Sequence, residues 1–154
     1  MKRLCWPLAS LLAVVIVTLL YLFVIRGSTL PASDGRTSIV LTSGERDLVL
    51  TEMRGFLIAV QQITQGVVDD DSGAIAVAAR RAGGAATHEV PPSLVGKLPI
   101  EFKRLGFDTH SQFDRLALDT EQLGDAAHAQ RALATLMQNC VACHAAYRFD
   151  LESR

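Results

Sequence analysis

The sequence predicts an all-α protein, an up-down-up-down four-helix bundle that follows an N-terminal transmembrane helix. The chain opens with a long apolar run without charge, and beyond it apolar residues recur every three or four positions, which is the spacing of a helix face. No segment alternates apolar and polar residues convincingly in the way that a half-buried strand does. We therefore assign residues 1–26 to a membrane anchor, residues 27–42 to a flexible tether and residues 43–154 to the helical domain.

The apolar run from Leu4 to Ile25 contains 22 residues and no charge. At ~1.5 Å per residue it is long enough to cross a ~30 Å hydrocarbon layer. A cleaved signal peptide usually has a shorter apolar core of ~7–15 residues, so we expect an uncleaved signal-anchor. A cleaved signal and a buried core helix are the alternatives. Lys2 and Arg3 precede the run, so the positive-inside rule places the following domain in the periplasm of a bacterial cell, held at the inner membrane.

The charge of the chain excludes some classes of function. The charged residues up to position 26 are all basic, so the rest of the chain is mildly acidic. This balance argues against binding to nucleic acid, which usually requires a basic face. The sequence has no recognisable catalytic triad, phosphate-binding loop or paired carboxylates, so we do not expect an enzyme.

The first helix of the domain is predicted to begin at Thr42. The segment Thr42-Ser-Gly-Glu45 matches a capping box, in which both side chains bond free backbone N–H groups. Three consecutive aspartates at positions 69–71 end this helix and cap an alanine-rich second helix, which reaches about Gly83. The apolar stripe of the first helix is formed by Val49, Met53, Phe56, Val60, Ile63 and Val67.

A loop with two adjacent prolines follows from His88 to Ser93, because a proline pair does not fit inside a helix. A short helical turn is predicted at Ile100–Leu105, and the third helix extends from Asp108 to Gly124. The fourth helix extends from Asp125 to near the C-terminus. Its apolar stripe is formed by Leu133, Met137, Cys140, His144, Tyr147 and Leu151.

Cys140-Val-Ala-Cys143-His144 has the C-x-x-C-H spacing of covalent haem attachment. Two thiols add across the haem vinyl groups, and the adjacent imidazole ligates the iron. A redox-active C-x-x-C usually lies at a helix N-terminus, where the dipole lowers the thiol pKa, but this motif lies deep in the last helix. A zinc site commonly needs a second Cys or His pair, which the sequence lacks. We expect one haem c, with a structural disulfide, another metal or a chance match as alternatives.

The segment Cys-Val-Ala-Cys-His-Ala-Ala-Tyr-Arg, on the last helix of a predicted bundle, resembles the class II c-type cytochromes, the cytochrome c prime family. The resemblance covers residues ~42–151. It implies periplasmic one-electron transfer with redox partner proteins, or binding of small gases such as nitric oxide or carbon monoxide. Relatives often dimerise through their first two helices, so the resemblance also admits a homodimer.

The resemblance also implies roles for two arginines. In the family, the arginine four residues after the ligand histidine lies over the proximal haem face, and Arg148 has that position. A solvated charge near a helix end is the alternative for Arg148. Six-coordinate relatives tend to show an arginine four residues before the ligand methionine, where it contacts a haem propionate, and Arg46 is the candidate for that arginine. We expect Tyr147 to pack against the haem edge.

Met53 is the expected sixth ligand of the iron. It lies on the stripe of the first helix, 11 residues after Thr42, while His144 lies 10 residues before the C-terminus, so antiparallel helices place both at similar depth. Met1 is cytoplasmic and Met137 lies on the same helix as His144.

Other sixth ligands remain open. If Arg46 is the family arginine, the residue four positions later is Leu50 and not a methionine. Leu50 would then be the distal residue, and the sixth position of the iron would be open. His88 and His110 are further candidates, whereas His128 is too far along its helix, at ~24 Å from His144.

Overall fold

The computed structural model describes residues 2–85 and 90–152. This part of the chain is mostly helical, as predicted, and it also contains a small three-stranded sheet. The helices are α1 (Lys2–Leu20), α2 (Ser43–Val68), α3 (Ser72–Ala82), α4 (Pro92–Lys97), α5 (Ile100–Leu123) and α6 (Ala126–Ala146). The strands are β1 (Thr29–Pro31), β2 (Thr37–Leu41) and β3 (Tyr147–Leu151).

The N-terminal helix is long and apolar enough to cross a membrane. After α1 it continues as a π-helical segment, Tyr21–Arg26, and none of the span Trp6–Arg26 is buried against the domain. It ends at Gly27, where a Cβ would lie 2.3 Å from the carbonyl oxygen of Lys97 and where φ is +63°. Only glycine tolerates both conditions without strain. The N–H of Ser28 then donates to the same carbonyl over 2.7 Å, so the N-terminal helix meets the domain directly.

The prediction of a flexible tether at residues 27–42 is wrong. β1 and β2 form an antiparallel pair there, in which Thr29 faces Ile39. The side chains of Ile39 and Leu41 are completely buried, which ties this segment into the domain. The composition suggested a loop because Gly, Ser, Pro and Asp cluster around the turn between the two strands.

Two clusters of buried side chains hold the domain together. α2 packs against α3 and α6, and α5 packs against the same two helices. The helical core lies between them and includes Ile63, Ile75, Phe113, Leu116, Leu133 and Leu136. The sheet-end core joins β2 to the starts of α2 and α5 and to α4, and includes Ile39, Leu41, Val49, Leu94, Leu98 and Phe102.

Several predicted helix ends are confirmed. Thr42 and Glu45 form the capping box, with Thr42 Oγ1 accepting from the Glu45 N–H over 3.3 Å and Glu45 Oε2 accepting from the Thr42 N–H over 2.9 Å. Asp71 caps α3 and Asp125 caps α6 in the same manner. The predicted break before Asp108 is wrong, because the turn at Ile100 and the third helix form one continuous helix.

The fourth helix of the domain does not extend to the C-terminus. α6 ends at Ala146, and β3 pairs in parallel with β2, with Tyr147 facing Thr37. Tyr147 and Phe149 turn to the sheet-end core, where both rings meet Phe102 edge to face. The helix stops because these two rings reach the core at the two-residue period of a strand, which a helix cannot provide.

Candidate functional site

Cys140 and Cys143 lie on the inward side of α6. Both are half-buried free thiols, and they face different parts of the interior. Cys140 packs against the helical core and Cys143 against the sheet-end core. The motif therefore lies where the two cores meet, three residues before α6 ends.

The surroundings of the thiols are unlike those of a redox-active pair. Burial raises the pKa of the Cys140 thiol, and burial together with the neighbouring Cys140 raises the pKa of Cys143 to about 11. A nucleophilic or redox-active cysteine requires a lowered pKa, since the thiolate is the reactive form. The position near the C-terminal end of α6 adds to the effect, because that end of the helix dipole disfavours negative charge. The pair therefore lacks the lowered pKa that thiol–disulfide exchange requires.

His144 is exposed, and its imidazole has no hydrogen-bond partner among the described residues. Its place on α6 follows from Asn139, whose Nδ2 donates to Thr109 Oγ1 over 3.3 Å and so marks the side of α6 that faces α5. At 3.6 residues per turn, Met137, Val141 and His144 lie on the opposite flank. Because α6 packs against α5 and α2, this flank is turned towards α2.

The matching flank of α2 is also apolar. Gly55 and Gln62 line a small pocket with Ala78 of α3, so that side of α2 faces α3. The other side of α2 is turned to α6. Helical spacing places Leu50, Met53 and Leu57 on this flank of α2 and Met137, Val141 and His144 on the facing flank of α6. We call the surface formed by these six residues the α2–α6 groove.

The α2–α6 groove includes large apolar side chains that are exposed to solvent. Leu57 is 69% exposed and Val141 is 70% exposed, and they lie on the two helices that border the groove. Contiguous exposed apolar surface on a soluble domain usually marks a ligand or partner site. The imidazole of His144 stands on the same surface.

The depth argument for Met53 needs correction. It counted from the C-terminus on the assumption that the last helix continues to the end of the chain. His144 in fact lies two residues before α6 ends at Ala146, whereas Met53 lies ten residues after α2 begins at Ser43. The counts are therefore unequal, and the contacts of α5 give a better measure.

Contacts with α5 set the relative levels of α2 and α6. Glu52 Oε1 lies 3.1 Å from His110 Nε2, and Asn139 contacts Thr109, the residue before His110. Met53 is therefore near the level of Asn139, a little more than one turn from the histidine of the motif. Side chains on α6 lean towards its N-terminus, which brings that histidine back towards Met53. Met53 and Leu50, one turn apart on the same flank, both remain candidates for the distal position.

Arg46 carries an unsatisfied buried group. It lies at the start of α2 on the same side as Met53, and its Nε is buried without a hydrogen-bond partner. Its Nη2 makes only a long contact of 3.9 Å with Asp47. A buried guanidinium N–H without an acceptor is costly, so this position favours an incoming anion.

The sequence predicted that Arg148 lies on the last helix, and this prediction is wrong. Arg148 is in β3, where its guanidinium pairs with Asp150 over 2.7 Å and with Asp34 over 3.4 Å. Hydrogen bonds to Asp150 raise the pKa of Arg148 further. No contact of Arg148 with the α2–α6 groove appears among these pairs, and its place over the proximal face stays a prediction of the resemblance.

Arg36 is a residue of the site that sequence reasoning missed. Its Nη1 donates to the backbone carbonyl oxygens of His144 over 3.4 Å and Tyr147 over 3.2 Å. Hydrogen bonds from Arg36 hold the pKa of Asp34 at about 2, so Asp34 stays charged and orients Arg36. Arg36 thus fixes the backbone of the motif histidine at the end of α6. No local sequence signal marks this role, because the carbonyl groups of His144 and Tyr147 are more than one hundred residues away from Arg36 in the sequence.

Both ring nitrogens of His110 already have hydrogen-bond partners in the domain. Its Nδ1 lies 2.8 Å from the carbonyl oxygen of Ala82 and its Nε2 lies 3.1 Å from Glu52 Oε1, so both ring nitrogens face acceptors. Burial lowers its pKa, but the hydrogen bonds to Glu52 and Ala82 outweigh burial and the pKa of His110 is raised. A histidine whose two ring nitrogens both have hydrogen-bond partners is a poor iron ligand. His88, the other histidine candidate, lies outside the described residues.

The charged form of His110 should stabilise the fold below neutral pH. Because its folded pKa is above the unfolded value of 6.5, the contribution is complete below about pH 6.5 and is lost as pH rises through the folded pKa. His110→Gln should lower the free energy of unfolding by about 1–3 kcal/mol at pH 5.5, and the difference should shrink towards pH 9. Urea unfolding of the full-length protein in detergent measures this. His128→Gln is the control, since His128 pairs with Asp119 at the surface, where pairs contribute little. A difference that does not change with pH would contradict the charged assignment.

In the described part of the chain, no group of three or more His, Cys, Asp or Glu side chains is arranged to hold a metal ion. A zinc site therefore has no geometric support among these residues. No family model matches the chain, and no curated protein or solved structure matches it either.

The residues present fit a covalently bound haem. Two free thiols are spaced for the two vinyl groups, and an imidazole without a partner follows them. The α2–α6 groove supplies exposed apolar surface for the macrocycle, and the orphaned Nε of Arg46 supplies a donor for a carboxylate.

Proposed function

We propose that this protein is a membrane-anchored periplasmic cytochrome that carries one haem c and transfers single electrons. The observation that carries the proposal is the group formed by Cys140, Cys143 and the exposed imidazole of His144 beside exposed apolar side chains of α2 and α6. The bound iron would supply reversible one-electron chemistry. On this proposal the domain is a class II c-type cytochrome whose up-down-up-down bundle consists of α2, α3, α5 and α6.

Several side chains of the protein have separate roles at the proposed haem site. The thiols of Cys140 and Cys143 would hold the haem through thioethers, formed when each S–H adds across a vinyl group. Leu57 and Val141 would shield it from water, and a drier surrounding favours the iron state of lower charge. Arg36 orients the backbone that carries His144, and Arg46 would neutralise a propionate.

The test of haem attachment uses the purified full-length protein. After treatment with acid acetone, we expect the haem to remain in the protein precipitate, because two thioether bonds survive denaturation. Haem in the acetone phase would show non-covalent binding, and a protein that lacks haem altogether would leave a structural role for the two cysteines.

A second function, binding of small gases, is favoured by one observation. Leu50 lies one turn from Met53 on the flank of α2 that faces His144, and it has no atom that ligates iron. If Leu50 is the distal residue, the iron is five-coordinate and open to nitric oxide or carbon monoxide. The absorption spectrum of the purified protein distinguishes the two, because a low-spin spectrum with a thioether-to-iron band supports electron transfer and a high-spin spectrum supports gas binding.

Anchoring is tested separately. We expect the protein to stay in the membrane fraction after a wash with alkaline carbonate, because the span Trp6–Arg26 is long, apolar and not buried in the domain. The close fit of Gly27 against Lys97 also favours a chain that keeps this helix. A soluble product that begins near Gly27 would show a cleaved signal instead.

A further inference from the structure

A second cavity lies on the other side of α2 from the α2–α6 groove. It has a volume of about 290 Å³, near the lower limit of ordinary ligand pockets at ~300 Å³. Its described walls come from α2, α4 and α5, with Val90, and include neither the C-x-x-C-H residues nor Met53. They are largely apolar, and the principal wall residues are Leu48, Val49, Leu94, Leu98, Phe102 and Phe107.

Four polar residues line this apolar space, namely Thr51, Glu52, Lys103 and His110. The hydroxyl of Thr51 and both ring nitrogens of His110 already have hydrogen-bond partners within the domain, so the other two residues supply the capacity that remains. Glu52 presents a carboxylate whose Oε1 is held by His110, while Oε2 has no partner among the described residues. Lys103 is an ammonium group with three N–H donors, two of which are used by the carbonyl oxygens of Phe23 and Val24. The cavity therefore offers one acceptor and one further donor.

The cavity lies next to the end of the membrane helix. Lys103 Nζ is 3.3 Å from the carbonyl oxygen of Phe23 and 3.1 Å from that of Val24, and both belong to the π-helical segment. Gly96, in α4, lies against the Phe23 ring. A molecule dissolved in the membrane would thus meet the cavity at the lipid–water boundary.

We propose that this cavity binds the ring of a membrane hydroquinone. One ring hydroxyl donates to Glu52, an oxygen on the other side of the ring accepts from Lys103, and the ring lies among the apolar side chains. A free fatty acid fits less well, because an ionised carboxylate has no donor for the Oε2 of Glu52. The inference goes beyond the proposed function and does not depend on haem.

The test is binding of 2-methyl-1,4-dihydroxynaphthalene to the full-length protein in detergent under dithionite, measured by calorimetry. We expect one molecule per chain. The dimethyl ether of the same ring, which cannot donate to Glu52, should bind about tenfold more weakly, because a hydrogen bond to a charged group contributes about 1.5 kcal/mol or more. Equal affinities for the two compounds, or tighter binding of octanoate, would overturn the proposal.

Two glycine variants locate the binding. A Cβ on Gly106, which lines the cavity, meets nothing within 4 Å, so Gly106→Leu should fill the cavity and preserve the fold. It should abolish binding. Gly55 is also helical with open space around it but lies outside this cavity, so Gly55→Leu should leave binding unchanged.

A third variant tests the acceptor. Glu52→Gln should weaken binding about tenfold, although it also removes a partner of His110. Absence of binding to the wild type, or full binding to Gly106→Leu, would overturn the proposal.

Discussion

Replacing Cys140 and Cys143 together by serine should yield a protein from which acid acetone extracts all the haem. Serine has nearly the size of cysteine but forms no thioether, so any haem left on the protein is held by His144 and apolar contact alone. Haem content after denaturation is the measurement. We expect a change from complete retention to none, the largest effect in this set.

Single variants and one control make this result specific. Cys140→Ser and Cys143→Ser should each keep one thioether and shift the visible bands of the reduced haem, since one vinyl group stays unsaturated. Cys5→Ser changes a cysteine of the N-terminal segment and should leave haem retention unchanged. Retention of haem in the double variant would mean that other atoms hold it, and equal loss in all three variants would point to misfolding.

The helical part of the fold could be predicted because its signals are local. Thr42 and Glu45 are three residues apart and bond each other, so the start of α2 could be located from the sequence alone. The same holds for the aspartate caps of α3 and α6. Each depends on contacts within one turn, which do not require knowledge of the rest of the chain.

The sheet could not be predicted with equal ease, because its pairing is distant. Ser38 faces Arg148 across more than one hundred residues, and Ser38 Oγ donates to Asp150 over 2.7 Å. In the sequence, Tyr147 and Leu151 also fit the apolar stripe of α6 at helical spacing. They therefore hide the point at which the helical period gives way to the two-residue period of β3. One signal was present, since Tyr147 and Phe149 alternate with Arg148 and Asp150.

The residues of the candidate site also separate into those that have a local sequence signal and those that do not. Cys140, Cys143 and His144 are recognisable because their chemistry fixes their spacing. Arg36 and the orphaned Nε of Arg46 depend on how α2 and the sheet meet the end of α6, so no pattern within their own segments identifies them. The level of Met53 was misjudged because the end of α6 depends on the pairing of β3.

Met53→Ala should convert a low-spin haem to a high-spin haem that binds carbon monoxide readily. A thioether ligand fills the sixth position, favours ferrous iron and raises the potential, so its removal should also lower the midpoint potential. Spectra of both oxidation states with and without carbon monoxide measure the change. The fold should survive, because removing a buried Met typically costs ~2–5 kcal/mol and Met53 is only half-buried.

Two variants separate ligation by Met53 from simple packing. Met137→Ala removes a methionine of the same α2–α6 groove that lies on the helix of His144, two turns away, and so cannot reach the opposite side of the iron. It should leave the spectrum low-spin. Leu50→Ala should leave the iron six-coordinate if Met53 is the ligand.

Two outcomes would contradict ligation by Met53. In the first, the wild type is already high-spin, and Leu50→Ala binds carbon monoxide faster than the wild type does. That result would place Leu50 over an open iron and favour gas binding. A low-spin spectrum that survives in Met53→Ala would assign the sixth position to a histidine, and because His110 is held by Glu52 and Ala82, His88→Ala would then be the variant that changes the spin state.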